Sequence, residues 1–327
     1  MLTIPPGQDD VFDRIRSACR KVAERARFVH VRHDRIPALV STLPEHASLT
    51  PTYDEAHHFR GDEAETAAYV VTLDAVNFGS GWFPHLAKRP GLSGYFTIAS
   101  SLADRFRTEG PFDAETLQRI SPESCAEIFG QDLVTEPMQE LMTLFARAWN
   151  DLGRDLLDRF DGRFERMIQA AQGSAARLVE ILASQPLFRD VSTYDDLAVP
   201  LFKRAQILPS DLALAFNGAG LGRFSDLDRL TIFADNLVPH VLRIEGVLTY
   251  EDDLLKRIER CEPIEAESRE EIEIRACAVH AVACLADHLK SCGRPATERC
   301  LDIALWTYGQ HPEIKAEPRH RTRTPYY

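Results

Sequence analysis

The sequence has 327 residues, of which 44% are hydrophobic and 27% are charged, a composition typical of a globular protein with a sizeable core. Its 50 acidic and 38 basic residues give a formal net charge of -12, which argues against wrapping a long nucleic acid, because contacts between basic residues and phosphates supply most of that affinity. The sequence holds no apolar run of about 18 residues, the length needed to cross a membrane, and residues 1–6 lack the basic and apolar parts of a secretory signal. We therefore expect a single-domain cytoplasmic protein over residues 1–327.

The N-terminal part of the chain mixes helical and strand patterns. Residues 10–27 place apolar side chains at helical spacing, and residues 34–43 predict a second helix. Between them, residues 27–31 are short, β-branched and alternating, which favours a strand. Residues 68–73 predict another strand, and the glycines that follow Asn77 end regular structure there. A small β element is therefore expected in the N-terminal third.

From residue 113 onward the patterns are nearly all helical. A capping serine before proline, Ser121-Pro122, predicts a helix start, and the apolar residues of 141–156 follow one helical face. The segment from Ser268 to Glu271 has the form of a capping box. Glu271 also lies four residues before Arg275, the spacing of an ion pair on one helix face. The predicted fold class is mainly α, as a single compact helical domain.

The seven cysteines do not form a metal-binding pattern. None falls in a Cys-x-x-Cys pair, and four recur every seven or eight residues along one helical stripe: Cys277, Cys284, Cys292 and Cys300. A thiolate cluster needs closer pairs, so we expect free thiols packed as small apolar residues in a reducing compartment. The sequence motifs of dinucleotide binding, phosphate loops, serine hydrolases and zinc proteases are also absent. We expect neither a metal nor a cofactor.

The first candidate site is residues 230–239, where a run of apolar residues is followed by Asp235 and then by Pro239. Residues that precede a proline avoid the helical conformation, so Asp235 is expected near a bend. An acid behind four apolar neighbours is partly removed from water, which strengthens its field on a ligand. The alternative is that Asp235 caps a helix that begins near Pro239. The pattern alone leaves both interpretations open.

The second candidate is residues 199–208, where Lys203 and Arg204 interrupt an otherwise apolar stretch. Buried bases need anionic partners, either a carboxylate or a ligand phosphate. In the alternative interpretation, the two bases straddle a half-buried helix and both charged groups lie in water.

Two further segments carry polar residues of interest. Asp302 lies within the apolar and aromatic segment Leu301–Tyr308, where an acid would suit a ligand that carries hydroxyls or an amine, or would lie at the edge of a core helix. His57 and His58 follow Tyr53 and stand near acids, but adjacent histidines rarely bind one metal ion, so a surface loop is the alternative.

The C-terminal segment combines a basic stretch, residues 319–323, with two terminal aromatic residues, Tyr326 and Tyr327. Such a tail is either a disordered end or a segment that folds back, because two aromatic side chains make a good anchor.

Several of these segments, in this order and spacing, resemble the queuosine salvage protein family, the queuosine 5'-phosphate N-glycosylase/hydrolases. The resemblance runs from about residue 28 to residue 327. Its most specific parts are Asp74–Phe78, Phe202–Leu208, Phe233–Asp235, Glu271–Arg275 and Tyr326-Tyr327. The resemblance implies release of the base queuine from the nucleoside 5'-monophosphate produced by tRNA turnover. It also implies a mainly helical fold similar to helix-hairpin-helix DNA glycosylases.

The resemblance also implies roles for single residues. The catalytic acid of the family falls on Asp235, and its base-contacting residues fall on His57, Phe233 and Asp302. Lys203 is predicted near Asp235 or the 5'-phosphate, for which Arg204 and the tail bases are other candidates. Two residues of the last candidate segment, Trp306 and Thr307, complete the predicted substrate site.

The sequence departs from the family pattern in three places. The usual Phe-Ala-Asp-Tyr-Arg-Val-Pro-Gln run has Asn236, Leu237 and His240 here, and the Asn-Phe-Ser-Phe-Trp run is lengthened between Asn77 and Trp82. Thr307 replaces a second acid of some members. These departures concern the fine contacts and leave the acid in place.

The expected partners are therefore the nucleotide queuosine 5'-monophosphate and its product queuine, with no intact nucleic acid and no membrane. Two other functions remain open from the sequence. One is a glycosylase that acts on bases within nucleic acid, and the other is a non-catalytic helical protein that binds a modified base.

Overall fold

A computed structural model describes residues 10–43 and 52–327. The described chain is mainly helical, as predicted, with two small antiparallel sheets of two strands each. The helices, in chain order, are α1 Val11–Arg25, α2 Ile36–Thr42, α3 Glu63–Ala75, α4 Gly94–Glu109, α5 Ala114–Arg119, α6 Pro122–Phe129, α7 Glu136–Phe160, α8 Phe164–Ala170, α9 Ala175–Leu182, α10 Lys203–Ala215, α11 Val238–Ile244, α12 Asp252–Glu259, α13 Arg269–Ser291, α14 Glu298–Tyr308 and α15 Pro312–Ala316. The strands are β1 Val29–Val31, β2 Val191–Tyr194, β3 Leu197–Pro200 and β4 Leu248–Tyr250. Within the described ranges, no helix is both long and apolar enough to span a membrane.

The chain divides into two compact units. The described parts of the first are residues 10–43, 190–203 and 226–323, and those of the second are residues 52–189, 204–225 and 324–327. The prediction that residues 1–327 form one domain, and the likeness to helix-hairpin-helix glycosylases, stay predictions.

In the first unit the long helix α13 is the central element. Helices α1, α2 and α14 and strand β1 all pack against it, and most of its side chains between residues 271 and 289 are buried. Ser268 caps it by accepting a hydrogen bond from the amide of Glu271 at 3.3 Å, which is one of the two bonds of the predicted capping box. A helix buried on several sides provides a rigid base for the loops that contact it.

The predicted helices at residues 10–27 and 34–43 and the strand at residues 27–31 are confirmed as α1, α2 and β1. Strand β1 pairs with β4, with Val29 opposite Tyr250. The buried carboxylate of Glu273 accepts the amides of Arg27, Phe28 and Val29 at 3.0, 2.6 and 3.1 Å. Helix α13 therefore fixes where the strand begins.

The strand predicted at residues 68–73 is wrong, because these residues lie inside α3 in the second unit. The helix begins with a complete capping box, in which Asp62 and Glu65 each bond the backbone of the other. All residues from Thr66 to Ala75 are buried, so the helix has no polar face. An apolar helix of this kind shows no helical period and resembles a buried strand in sequence.

Helices α5 and α7 pack closely in the second unit. Gly153 of α7 lies against the backbone of Ala114 and Gln118, and a Cβ atom at residue 153 would overlap that backbone. The sequence-predicted start of α6 is confirmed, since Ser121 accepts a hydrogen bond from the amide of Ser124 at 3.2 Å. The apolar face of residues 141–156 lies within α7 and is largely buried.

The C-terminal residues fold back within the second unit. Tyr327 is 1% exposed, and its carbonyl oxygen accepts a hydrogen bond from the amide of Gly79 at 3.1 Å. Gly79 has a φ of +119°, a conformation that favours glycine. The lengthened segment after Asn77 therefore provides the contact that anchors the chain end, and the disordered alternative for these residues is wrong.

Candidate active site

Asp235 lies in an irregular loop of the first unit that ends where α11 begins. Its Oδ1 atom accepts the amides of Leu237 and Val238 at 2.7 and 3.0 Å. Asp235 therefore binds the two amides at the start of the helix, which begins one residue before Pro239, although Leu237 and not Asp235 occupies the N-cap position. The side chain is half-buried, and its Oδ2 atom forms no hydrogen bond within residues 10–43 and 52–327. The carboxylate is thus fixed through one oxygen, and the other can meet a ligand.

Asp302 of α14 contacts the same loop. Its Oδ1 atom accepts the amide of Phe233 at 2.8 Å, and both side chains are buried, with exposures of 4% and 6%. The first and third candidate segments therefore form one cluster. Trp306 lies one helical turn after Asp302 and is half-buried, whereas Thr307 is exposed.

A buried ion pair supports the peptide that precedes Asp235. Arg275 of α13 donates through Nε to the carbonyl of Ala234 at 3.0 Å, and it forms two hydrogen bonds with the carboxylate of Asp190 at 3.0 and 2.7 Å. The predicted pair of Glu271 with Arg275 is confirmed at 3.5 Å. Asp190 had no signal in the sequence, because it lies 85 residues before Arg275.

Lys203 and Arg204 are both buried, with exposures of 6% and 2%, so the interpretation that places their charged groups in water is wrong. Lys203 is the last residue of its segment in the first unit, and its amide donates to Asp190 Oδ2 at 3.1 Å. In the second unit, the Arg204 guanidinium donates to the carbonyls of Ala75 and Leu187. It also stacks on two phenylalanine rings, Phe78 and Phe188, at 4.6 and 4.7 Å. Arg204 thus has a packing role within its unit.

The two residues after Asp235 account for part of the departure from the family pattern. Asn236 is buried and donates to the carbonyl of His320 at 3.5 Å, so it binds the basic segment near the C-terminus. Leu237 is also buried, and its side chain lies over Gly309. Both substitutions therefore have packing partners inside the first unit.

The basic segment brings a second charge near Asp235. Arg243 donates to the carbonyl of Pro318 at 2.8 Å, and the bond from Asn236 holds the carbonyl of His320, so the backbone of Arg319 is fixed on both sides. Burial lowers the pKa of the Arg319 guanidinium below its usual range, while the negative charge of Asp235 opposes this lowering. The sequence indicated basic residues here but not which of them approaches Asp235.

The two adjacent histidines lie in the second unit and differ in their contacts. His58 uses both ring nitrogens, with the carbonyl of Asp54 and the hydroxyl of Tyr95, each at 2.8 Å. Burial lowers its pKa. His57 is half-buried, lies 3.2 Å from the Ser100 hydroxyl through Nδ1, and packs on Phe96. His57 is therefore the better candidate for a ligand contact, since its Nε2 bonds no residue of the described chain.

Comparison with known sequences identifies the family. A profile described as queuosine salvage protein matches residues 57–327. The chain belongs to the queuosine salvage protein family. The resemblance seen in the sequence is thereby confirmed.

Relatives in this family carry a common name. A Sphaerobacter thermophilus protein named queuosine 5'-phosphate N-glycosylase/hydrolase is 37% identical over 313 residues, which cover 94% of this chain and 96% of that protein. Proteins of the same name from Mus musculus and Dictyostelium discoideum are 30% and 34% identical. They cover 95% and 80% of this chain, and the matches span 98% and 78% of those proteins.

Proposed function

We propose that this chain hydrolyses the N-glycosidic bond of queuosine 5'-monophosphate and releases queuine for salvage into tRNA. The observation that carries the proposal is the carboxylate of Asp235, which is fixed by two amides through Oδ1 and keeps Oδ2 for a ligand. The names of the relatives support the choice of substrate. We place this activity in the cytoplasm.

In the proposed reaction, the oxygen of a water molecule forms a bond to the anomeric carbon of ribose. The bond from that carbon to the base nitrogen breaks, and its electron pair leaves with the base. Asp235 takes the proton that the water loses and stabilises the positive charge that develops on the sugar ring. The departing nitrogen gains a proton from the solvent, and Asp235 then returns its proton to the solvent, so the products are queuine and ribose 5-phosphate.

The leaving group makes sugar-side stabilisation important. Ordinary purines accept a proton at N7 as they depart, but a 7-deazapurine has carbon at that position. The enzyme must aid departure through other edges of the base or lower the barrier at the sugar, where a fixed carboxylate acts directly. This requirement is consistent with a carboxylate whose orientation is held by backbone amides.

The base is proposed to contact four residues of the first unit. Phe233 stacks on the base, and Asp302 pairs with the secondary amine or the diol of its cyclopentene arm. Trp306 and Thr307 lie further along α14 and line the same binding region.

Arg319 is our first choice for the 5'-phosphate, with Lys203 as a second candidate. A half-buried guanidinium that bonds no residue of the described ranges is suited to an anionic ligand. Arg319→Gln should raise KM for the nucleotide and leave KM for the nucleoside queuosine unchanged, whereas Arg260→Gln, at an exposed position, should change neither. Equal losses on both substrates would contradict the assignment.

Release of free queuine from queuosine 5'-monophosphate tests the function, with Asp235→Asn beside the wild type. Asparagine retains an oxygen that can accept the two amides but lacks the negative charge, so the fold should be kept. We expect a fall in kcat of at least about 100-fold, the usual range for loss of a general base. Asp253→Asn is the control, because that side chain is 98% exposed. Turnover of the Asp235 variant at the wild-type rate would refute the assignment.

A further inference from the structure

Asp190, Arg275 and Glu271 form a buried charged cluster at a place where apolar residues could also fill the space. Arg275 and its two acidic neighbours are 1%, 2% and 2% exposed. Removing such charges from water is costly, and apolar residues of similar volume often stabilise a fold equally well. A stabilising role alone therefore does not explain why these residues are charged.

The geometry of the cluster fixes the orientation of one peptide group. The carboxylate of Asp190 bonds both terminal nitrogens of Arg275, so the planar guanidinium cannot rotate. Its third donor, Nε, then points to the carbonyl of Ala234 at 3.0 Å. That carbonyl belongs to the peptide that joins Ala234 to Asp235. Holding this peptide restricts the backbone angle φ of Asp235.

Asp190 also binds the chain at the start of α10. Its backbone carbonyl accepts the amides of Leu201 and Phe202 at 2.9 and 3.3 Å, and Oδ2 accepts the amide of Lys203 at 3.1 Å. Phe202 has a φ of +48°, which a bulky L-residue rarely adopts. These three bonds from a single residue offset the cost of that conformation and fix the backbone of Lys203.

We infer that Arg275 and Asp190 are positioning residues for the proposed hydrolysis. Together they fix the backbone positions of Asp235 and Lys203 relative to each other. The inference rests on the proposed function, since it supposes that Asp235 acts on the sugar. Neither residue touches the substrate. Their contribution lies in placing the carboxylate within reach of the anomeric carbon, where a displacement of 1 Å costs a rate factor of about 100.

The test is Arg275→Lys, which keeps the positive charge but removes the planar fork. We expect kcat for queuosine 5'-monophosphate to fall between about 10- and 100-fold, while KM and the affinity for queuine change little. Arg257→Lys is the matched control, because Arg257 pairs with Glu270 at 3.2 Å in the same unit and, within the described part of the chain, does not bond the loop of Asp235.

A second measurement separates positioning from general stability. In an Asp235→Asn background, Arg275→Lys should lower the residual rate far less than it lowers the wild-type rate, since there is no longer a carboxylate to position. A purely structural role predicts the same fractional loss in both backgrounds. If Arg275→Lys does not fold, Asp190→Asn is measured in the same way, and failure of both variants to fold assigns the cluster to stability and overturns the inference.

The two hypotheses fail in different ways. If the wild type releases queuine and a folded Arg275→Lys variant has an unchanged kcat, only the positioning role is overturned. Absence of release by the wild type overturns the proposed function, and the positioning role falls with it.

Discussion

At the scale of single residues, Asp302 combines a structural contact with a proposed recognition role. Its Oδ1 atom holds the amide of Phe233, so the same carboxylate orients the ring that is proposed to stack on the base. Asparagine could keep the bond to the amide through its side-chain oxygen. Leucine would leave a buried amide without its acceptor, which typically costs about 1–3 kcal/mol.

We therefore predict that Asp302→Asn raises KM for queuosine 5'-monophosphate by about 10-fold, a typical loss for one charge-assisted hydrogen bond, with little loss of stability. Asp302→Leu should lose both affinity and free energy of unfolding. Steady-state kinetics and urea denaturation measure the two effects. An unchanged affinity in the asparagine variant would remove Asp302 from recognition and leave it as a support for Phe233.

The residues that the sequence identified lie in short local runs, whereas the features that it did not reveal depend on contacts between distant parts of the chain. Asp235 and Phe233 stand in one short run, so a local pattern together with the family resemblance identified them. Asp190 was missed, and the contacts of Asn236 and Arg319 were not predicted, because they join distant parts of the chain, as the bond from Asn236 to His320, 84 residues away, shows. Contacts of this kind leave no periodic or local signature in a single sequence.

At the scale of elements, local signals identified helices with one polar face or a clear cap. Helix α1 was predicted because its buried residues recur at helical spacing. Helix α3 was misassigned because its burial on all sides removes that periodicity. The capping box at Asp62 and Glu65 was the signal that could have corrected the assignment.

Helices α11 and α15 are joined through a neutral histidine. His240 bonds the carbonyl of Ile314 through Nε2 at 2.9 Å, and its Nδ1 lies 3.3 Å from Arg243. Because the arginine can only donate, Nδ1 must accept, so the ring is neutral with its proton on Nε2. Burial lowers the pKa of His240 to about 4. It also lowers the pKa of the nearby His320 to about 3.

We predict that the protein loses stability in mild acid. Each of these histidines takes up a proton near pH 6.5 when unfolded but only near pH 4 or 3 when folded. The stability that the two neutral histidines contribute to the folded protein is therefore fully present above about pH 6.5. It is lost as the pH falls toward about 4 for His240 and about 3 for His320. Each histidine lowers the free energy of unfolding by at most about 1.4 kcal/mol per pH unit.

His240→Gln checks the assignment, since glutamine is the residue of the family pattern at this position and can both donate and accept. The variant should retain its stability at pH 7 and show a shallower decline between pH 6.5 and 4 in urea denaturation. The remaining slope belongs to His320 and to other groups. An unchanged slope would show that His240 does not titrate in this range.

At the scale of the whole molecule, the net charge of -12 favours a free nucleotide over a nucleic acid as the substrate. A nucleotide brings one phosphate, which a single guanidinium such as that of Arg319 can bind. A tRNA brings a dense array of phosphates, and excess negative charge on a protein disfavours the broad basic face that binding to them requires. Repulsion also acts beyond direct contact, over a screening length of about 8 Å at physiological salt.

We therefore predict that the protein releases queuine from queuosine 5'-monophosphate but not from intact tRNA that contains queuosine. Both substrates are assayed at equal concentration, and binding of labelled tRNA is followed by fluorescence anisotropy between about 50 and 200 mM salt, where phosphate contacts weaken steeply. We expect no saturable binding at any salt concentration in this range. Two outcomes would instead favour a glycosylase that acts on bases within nucleic acid. One is release from tRNA with comparable kcat/KM. The other is binding of tRNA that falls steeply with salt, because direct phosphate contacts produce such a salt dependence.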